Sequence, residues 1–131
     1  MFKEVNVPGA PVNNAPYSRA VIANGFVFVS GQVPTDPVSF EVVHGDITEQ
    51  TRLSILSLKK ILEAAGSSLD KVVKTTVFLS DINEWPAMNV EYAKHFLKPA
   101  PARSAFQVAN LPFGVKVEIE CIALAPTAGN L

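Results

Sequence analysis

The chain has 131 residues, of which 48% are hydrophobic and 18% are charged, and its formal net charge is −1. The hydrophobic content excludes intrinsic disorder, and the length suits one domain, which we expect to span residues 1–131. The near-neutral charge argues against a partner of nucleic acid, and no apolar run is long enough to cross a bilayer, so we expect no membrane partner.

The N-terminal third predicts short strands. Residues 2–7 fit an edge strand, and the N-terminus resembles neither a secretory signal nor an arginine-rich transit peptide, so we expect a cytoplasmic protein. Strands predicted at 20–22 and 26–30 flank Asn24-Gly25, a dipeptide typical of tight hairpin turns. A further short strand is predicted at 41–43.

The clearest predicted helix follows Asp46, which can cap its first turn together with Glu49 in a capping box. Apolar or small side chains recur at four-three-four-three spacing and predict one buried stripe. The stripe consists of Thr51, Ile55, Leu58, Leu62 and Ala65. Gly66 is a natural C-terminal stop for this helix.

The segment 72–79 is rich in β-branched residues and predicts a central strand. A second helix is predicted to begin at Asn83 and to end before Lys98. Its buried stripe consists of Trp85, Met88, Tyr92 and Phe96. The order of strands, helix, strand, helix and strands predicts an α+β fold with both helices on one face of a sheet.

Residues 102–108 and 115–123 predict two further strands that a turn-rich loop joins as a hairpin. If the hairpin closes symmetrically, Arg103 and Glu118 share one face, and the small Ala105 leaves room between them. A guanidinium binds carboxylates in a two-pronged manner, and a nearby carboxylate can orient water. This arrangement suggests a pocket for a small organic acid.

The same pattern also fits a solvated sheet face. Lys116, Glu118 and Glu120 alternate with apolar residues, and Arg103 is then a surface salt-bridge partner that contributes little to stability. The predicted register matters as well, because a shift of one residue turns the charged side chains to the other face.

Other kinds of chemistry lack their sequence signals. His44 and His95 have no metal-ligand spacing, and no zinc-deaminase signature, nucleophile elbow or glycine-rich phosphate loop is present. Asn89 lies on the apolar side of the second helix, either bonded to backbone in the core or lining a pocket. Tyr17 is either a half-packed tyrosine or a hydroxyl that lines a site, and Cys121 is predicted to be a small core residue.

Six segments together resemble the RidA (YjgF-type) family of reactive-intermediate deaminases, and the resemblance covers nearly the whole chain. The segments are Pro16-Tyr17-Ser18, Ser30-Gly31-Gln32-Val33-Pro34, Glu63-Ala64-Ala65-Gly66, residues 73–79, Pro101-Ala102-Arg103-Ser104 and residues 117–123. The resemblance implies a chorismate-mutase-like α+β subunit in a homotrimer, with ligand sites in the clefts between subunits.

The implied activity is the hydrolysis of reactive enamines and imines, such as 2-aminoacrylate, to 2-oxo acids and ammonia, without a cofactor or metal. Carried onto this sequence, Arg103 is implied to hold the substrate carboxylate and Glu118, rather than Glu120, to position water. Five positions are implied to line the substrate site: Tyr17, contributed across the interface, Ser30, Gly31, Asn89 and Ala105.

Two positions depart from the family pattern. Many RidA proteins carry cysteine where this chain has Ala105, and glycine is frequent where it has Phe40. Ala105 can change the substrate fit, and Phe40 can change a turn near the site. The sequence is also compatible with two other functions, a non-catalytic binding protein for small carboxylates and a ribonuclease. The missing basic stripe argues against the ribonuclease.

Overall fold

A computed structural model describes residues 1–126, which form a six-stranded mixed sheet and two α-helices. The elements are β1 (Lys3–Glu4), β2 (Ala20–Ala23), β3 (Phe26–Gln32), α1 (Ile47–Ala64), β4 (Val72–Leu79), α2 (Trp85–His95), β5 (Ala102–Gln107) and β6 (Val117–Leu124). The spatial order of the strands is β1-β2-β3-β6-β4-β5. Neither helix among the described residues is long and apolar enough to cross a membrane.

The connections explain why both helices lie on one side of the sheet. β3 and β4 both pair antiparallel with β6, and β4 pairs parallel with β5. The chain therefore crosses over through α1 between β3 and β4, and through α2 between β4 and β5. The two helices pack against each other over the same face, which confirms the predicted α+β architecture.

Local signals in the N-terminal third are confirmed in part. Asn24 and Gly25 both have positive φ, at 51° and 85°, and form the tight turn between β2 and β3. β1 lies at the sheet edge but is only two residues long. The strand predicted at 41–43 is reduced to one bridge, in which Val42 pairs with Thr35.

The hairpin predicted for the last two strands is wrong, because β4 lies between them. In β4, Val77 pairs with Ala105 of β5 on one side and with Ile119 of β6 on the other. The apolar β4 needs two neighbours to be buried, whereas the more polar β5 suits the edge position.

This order also overturns the expectation that Arg103 and Glu118 share a face. Arg103 pairs with Thr75, whose side chain is fully buried on the helix side. Glu118 pairs with Phe78, which faces the other side of the sheet, because side chains alternate along a strand. Within one chain, the two side chains therefore lie on opposite faces.

Helix α1 begins and ends where its sequence predicts. Oδ1 of Asp46 accepts a hydrogen bond from the backbone N–H of Glu49 at 2.8 Å. At the other end Gly66 has φ of +80°, and the N–H groups of Gly66 and Ser67 donate to the carbonyls of Glu63 and Leu62. This is the Schellman arrangement, and it satisfies carbonyl groups that the helix leaves free.

The core lies between the sheet and the two helices. All five members of the predicted α1 stripe are buried, as are Met88 and Tyr92 of α2 and Phe96 directly after it, while Trp85 is half-buried. Cys121 is only 3% exposed on the helix side of β6, as predicted, and burial raises the pKa of its thiol to about 12.

The opposite face of the sheet carries no helix among residues 1–126. Phe28, Phe106 and Leu124 are 39%, 45% and 45% exposed there. Phe78 and Phe106 stack edge to face on this side, with ring centroids 5.5 Å apart. Exposed apolar side chains at this density indicate an interaction surface.

The Asp46 cap generates a stability prediction. Asp46→Ala removes the acceptor for the Glu49 N–H, so we expect the free energy of unfolding in urea to fall by about 1 kcal/mol. Asp46→Asn keeps an acceptor at this position and is the matched control, with stability close to that of the native chain. Equal stability of the alanine and asparagine variants would contradict a role for the cap.

Candidate active site

Arg103 projects from the edge strand β5 toward α2, where three side chains hold it. Its Nη1 donates a hydrogen bond to Oδ1 of Asn89 at 2.7 Å. The guanidinium carbon lies 4.8 Å from the ring centroid of Tyr92 and 5.2 Å from that of Trp85. No carboxylate among residues 1–126 lies within ion-pair distance of Arg103, so most of its donors are free for an external acid.

The spacing along α2 explains this arrangement. Trp85, Asn89 and Tyr92 follow one another at intervals of four and three residues, which places them on one face of the helix. A hydrogen bond to the sheet holds Tyr92 in place, because its hydroxyl lies 2.7 Å from Oγ1 of the buried Thr75 of β4. Burial raises the pKa of Tyr92, so its ring presents a neutral wall to the arginine.

Ala105 and Asn89 complete this side of the molecule. Ala105 lies two residues after Arg103 on the same face, partly buried against the core. The Asn89 side chain binds the Arg103 side chain, so it is not the backbone-bonded core amide that was one of its two interpretations. Arg103, Asn89 and Ala105 are called the arginine half-site below.

Glu118 lies on the other face, against the backbone of β3. The pairing of β3 with β6 is irregular between Val29 and Gln32, where Ser30 and Gly31 lie. A Cβ atom at Gly31 would overlap the Glu118 carboxylate, so any larger residue at this position would require the Glu118 side chain to move. Ser30 is fixed by a hydrogen bond that its Oγ donates to the carbonyl of Ser18 at 2.7 Å.

The surroundings of Glu118 favour its neutral form. Burial raises the pKa of this half-buried carboxyl, and the nearby negative charge of Glu120 raises it further. A carboxyl with a raised pKa exchanges protons more readily near neutral pH, which is the property of a general acid or base.

Tyr17 belongs to the same side of the sheet as Glu118. Together with Ser30, Phe28 and Glu120 it lines a concavity of about 560 Å³. The Tyr17 side chain is 62% exposed, and the loop is held by a 2.5 Å hydrogen bond from Nδ2 of Asn13 to the Tyr17 carbonyl. Tyr17, Ser30, Gly31 and Glu118 are called the acidic half-site below.

The seven site residues implied by the sequence therefore form two groups. The arginine half-site faces the helices at the β5 edge, and the acidic half-site lies on the helix-free face. Sequence reasoning placed Trp85 and Tyr92 in the core, whereas they also stack on Arg103, and their spacing from Asn89 was the signal for this role. Residues 1–126 contain no cluster of three or more side chains suited to a metal ion.

Comparison with known protein sequences gives consistent matches. The family model described as Endoribonuclease L-PSP matches residues 8–125. The RutC family protein PH0854 of Pyrococcus horikoshii is 49% identical over 123 residues, which cover 94% of this chain and 98% of that protein. The 2-iminobutanoate/2-iminopropanoate deaminase of Mus musculus is 43% identical over 122 residues, which cover 93% of this chain and 90% of the enzyme.

Solved structures agree with the sequence matches. The structure of the YjgF gene product from E. coli superposes with a TM-score of 0.82 at 39% sequence identity, and the match covers 93% of this chain and 98% of that one. The family model and the sequence relatives each cover most of the chain. The chain therefore belongs to the RidA (YjgF-type) family, the family described as Endoribonuclease L-PSP.

Proposed function

We propose that the protein is an imine deaminase that hydrolyses small 2-imino acids, such as 2-iminopropanoate, to 2-oxo acids and ammonia. The observation that carries the proposal is the Arg103 guanidinium, which stacks on two aromatic rings and lies near no carboxylate among the described residues. Relatives at 40–43% identity are named 2-iminobutanoate/2-iminopropanoate deaminase, which supports this reaction class.

Arg103 binds the substrate carboxylate through two parallel N–H donors. Asn89 uses one of the guanidinium hydrogen bonds and thereby sets the rotation of the guanidinium plane. Each charge-assisted hydrogen bond contributes about 1.5–3 kcal/mol, and the planar fork fixes the orientation of the acid. The imine carbon next to the carboxylate is then held in one position relative to the attacking water.

Glu118 supplies the proton transfers. As a carboxylate it accepts a proton from water while the water oxygen forms a bond to the imine carbon. The protonated Glu118 then returns this proton to the substrate nitrogen, which gives a tetrahedral carbon that carries one hydroxyl and one amino group. In a second transfer Glu118 takes the hydroxyl proton and delivers it to the amino nitrogen. The carbon–nitrogen bond breaks, the carbon–oxygen double bond forms, and ammonia leaves. An enamine such as 2-aminoacrylate first tautomerises to the imine, and the raised pKa of Glu118 suits it to both directions of transfer.

The complete site needs two copies of the chain. Arg103 and Glu118 lie on opposite faces of one sheet, so one substrate cannot contact both within a chain. We propose a homotrimer in which the helix-free face of one copy packs against the β5 edge of the next, so that the acidic half-site of the first meets the arginine half-site of the second. The exposed Phe28, Phe106 and Leu124 provide apolar area for this contact.

RNA cleavage, which the family description names, receives less support from this chain. Binding the phosphates of RNA requires a basic surface, and the net charge is −1. The arrangement around Arg103 offers one guanidinium between aromatic walls, which suits a single small carboxylate.

The first functional test is the Arg103→Ala variant. Because it removes both carboxylate contacts, we expect kcat/KM on freshly generated 2-iminopropanoate to fall at least about a hundredfold. Arg52→Ala is the matched control, since Arg52 is exposed and its one ion pair within residues 1–126 is with Glu49 at 4.0 Å. The activity of this variant should equal that of the native chain. Turnover by Arg103→Ala close to the native rate would refute the proposed role.

The same assay separates an enzyme from a binding protein. Native protein that binds 2-oxo acids but releases no ammonia from a panel of amino-acid-derived imines would support the carboxylate-binding alternative. Ammonia release that depends on Arg103 supports deamination, because only turnover consumes the imine.

Mixed oligomers test whether the site lies between copies. We expect the Arg103→Ala and Glu118→Gln variants to be inactive when each is assayed alone. When equal amounts are unfolded together and refolded, we expect about a quarter of native activity. In randomly mixed rings, about a quarter of the interfaces combine an intact Arg103 with an intact Glu118. A site within one chain predicts no recovery. Each variant refolded alone is the control.

Glu120 provides a test of the electrostatics at Glu118. Since the negative charge of Glu120 raises the pKa of Glu118, we expect Glu120→Gln to lower that pKa toward its ordinary value, measured by NMR titration of the labelled carboxyl carbon. Glu41→Gln, at an exposed site in the segment between β3 and α1, is the control and should leave the Glu118 titration unchanged. An unchanged pKa in Glu120→Gln would contradict the interaction.

A further inference from the structure

A separate concavity lies between α1, the loop that precedes β2 and the segment around residue 40. Its volume is about 210 Å³, and neither Arg103 nor Glu118 lines it. Its polar lining includes Arg19, Gln32, Ser57 and Lys60, and no carboxylate contributes to its walls. We call this concavity the Arg19–Lys60 pocket.

Both cations of the Arg19–Lys60 pocket are held in place by backbone carbonyl groups. Nη2 of Arg19 donates to the carbonyl of Pro11 at 2.6 Å, and Nζ of Lys60 donates to the carbonyl of Pro37 at 3.3 Å. Neither cation lies within 4.0 Å of a carboxylate in the part of the chain that the structure describes. Each retains further N–H donors, so the positive charge of the pocket is not neutralised from within.

Phe40 forms one wall and holds the Lys60 ammonium group. The ammonium nitrogen lies 4.5 Å from the centroid of the Phe40 ring, a cation–π contact. Phe40 has φ of +63°, in the left-handed region that favours glycine and disfavours a large side chain. The chain thus places an aromatic ring under a lysine at a position where glycine suits the backbone better.

Two successive hydrogen bonds between polar groups form the floor of the pocket. Oγ of Ser57 donates to Oε1 of Gln32 at 2.7 Å, and Nε2 of Gln32 donates to the Ser30 carbonyl at 2.9 Å. The Thr35 hydroxyl and the second N–H of Gln32 remain as neutral donors for an occupant, and the charged donors are those of the two cations. Two successive hydrogen bonds, through Gln32, thus connect Ser57 of the pocket to the Ser30 backbone of the acidic half-site.

We propose that the Arg19–Lys60 pocket binds a phosphate-type oxyanion, as the free ion or as a compact phosphate ester. A guanidinium and an ammonium group facing one cavity, without a carboxylate, match a doubly charged tetrahedral anion. The cavity is smaller than the roughly 300–1,000 Å³ of sites for drug-sized ligands, which excludes a nucleotide or a peptide as the enclosed group.

Titration of the native protein with inorganic phosphate tests the proposal. We expect saturable binding by calorimetry, and NMR shifts in the backbone amides of Phe40, Ser57 and Lys60, while chloride at equal ionic strength gives neither. This measurement needs no variant and so does not depend on the folding of one. Equal effects of chloride, or shifts confined to Arg103 and Asn89, would overturn the proposal.

Single substitutions measure how much each cation of the Arg19–Lys60 pocket contributes to phosphate binding. Arg19→Met and Lys60→Met each remove one cation, and we expect each to weaken phosphate binding at least about tenfold, which is about 1.4 kcal/mol. Lys59→Met is the matched control, because Lys59 pairs with Glu63 at 3.4 Å and does not line the pocket, so its affinity should be native. Lys60→Arg keeps the charge and should keep the binding.

The Arg103→Ala variant separates this pocket from the proposed active site. Phosphate binding should persist in Arg103→Ala, because Arg103 contributes nothing to the Arg19–Lys60 pocket. Binding that is lost in Arg103→Ala and retained in Lys60→Met would overturn the proposal and assign the ion to the arginine half-site. Equal affinities of the Lys59→Met and Lys60→Met variants would overturn it as well.

Discussion

Strand β4 separates β5 from β6, and this placement decides which side of the sheet each charged side chain faces. Val77 and Leu79 of β4 are fully buried, so the strand requires a neighbour on both edges as well as helices above it. The alternation of side chains then directs Arg103 toward the helices and Glu118 away from them. The positions of both half-sites follow from this one arrangement.

The separation prevents Arg103 and Glu118 of one chain from pairing with each other. A guanidinium and a carboxylate that shared a face would form an ion pair and would have little remaining attraction for an external acid. On opposite faces, Arg103 is held by aromatic rings and an amide, while Glu118 lies against Gly31 and near a second acid. The homotrimer that we propose would bring together these groups, which the single folded chain keeps apart.

The sequence predicted features that depend on neighbouring residues more accurately than it predicted which strands pair. The cap at Asp46, the stop at Gly66 and the span of β4 each depend on a few neighbouring residues, and each was predicted. The hairpin of β5 and β6 was wrong because adjacency along the chain does not reveal that β4 pairs between them. The strand pattern already suggested Arg103, Ala105 and Glu118 as candidate site residues, and the family resemblance added Ser30 and Gly31 and favoured a site-lining role for Tyr17 and Asn89. The division of these candidates between two faces required the pairing register.

The location of Cys121 has a consequence for oxidative stress. It is the single cysteine of the sequence. The Cys121 thiol is buried and its pKa is raised to about 12, so almost none of it is thiolate at neutral pH. Peroxides and alkylating reagents react with thiolates, and the one cysteine of this chain therefore offers them little reactive sulfur.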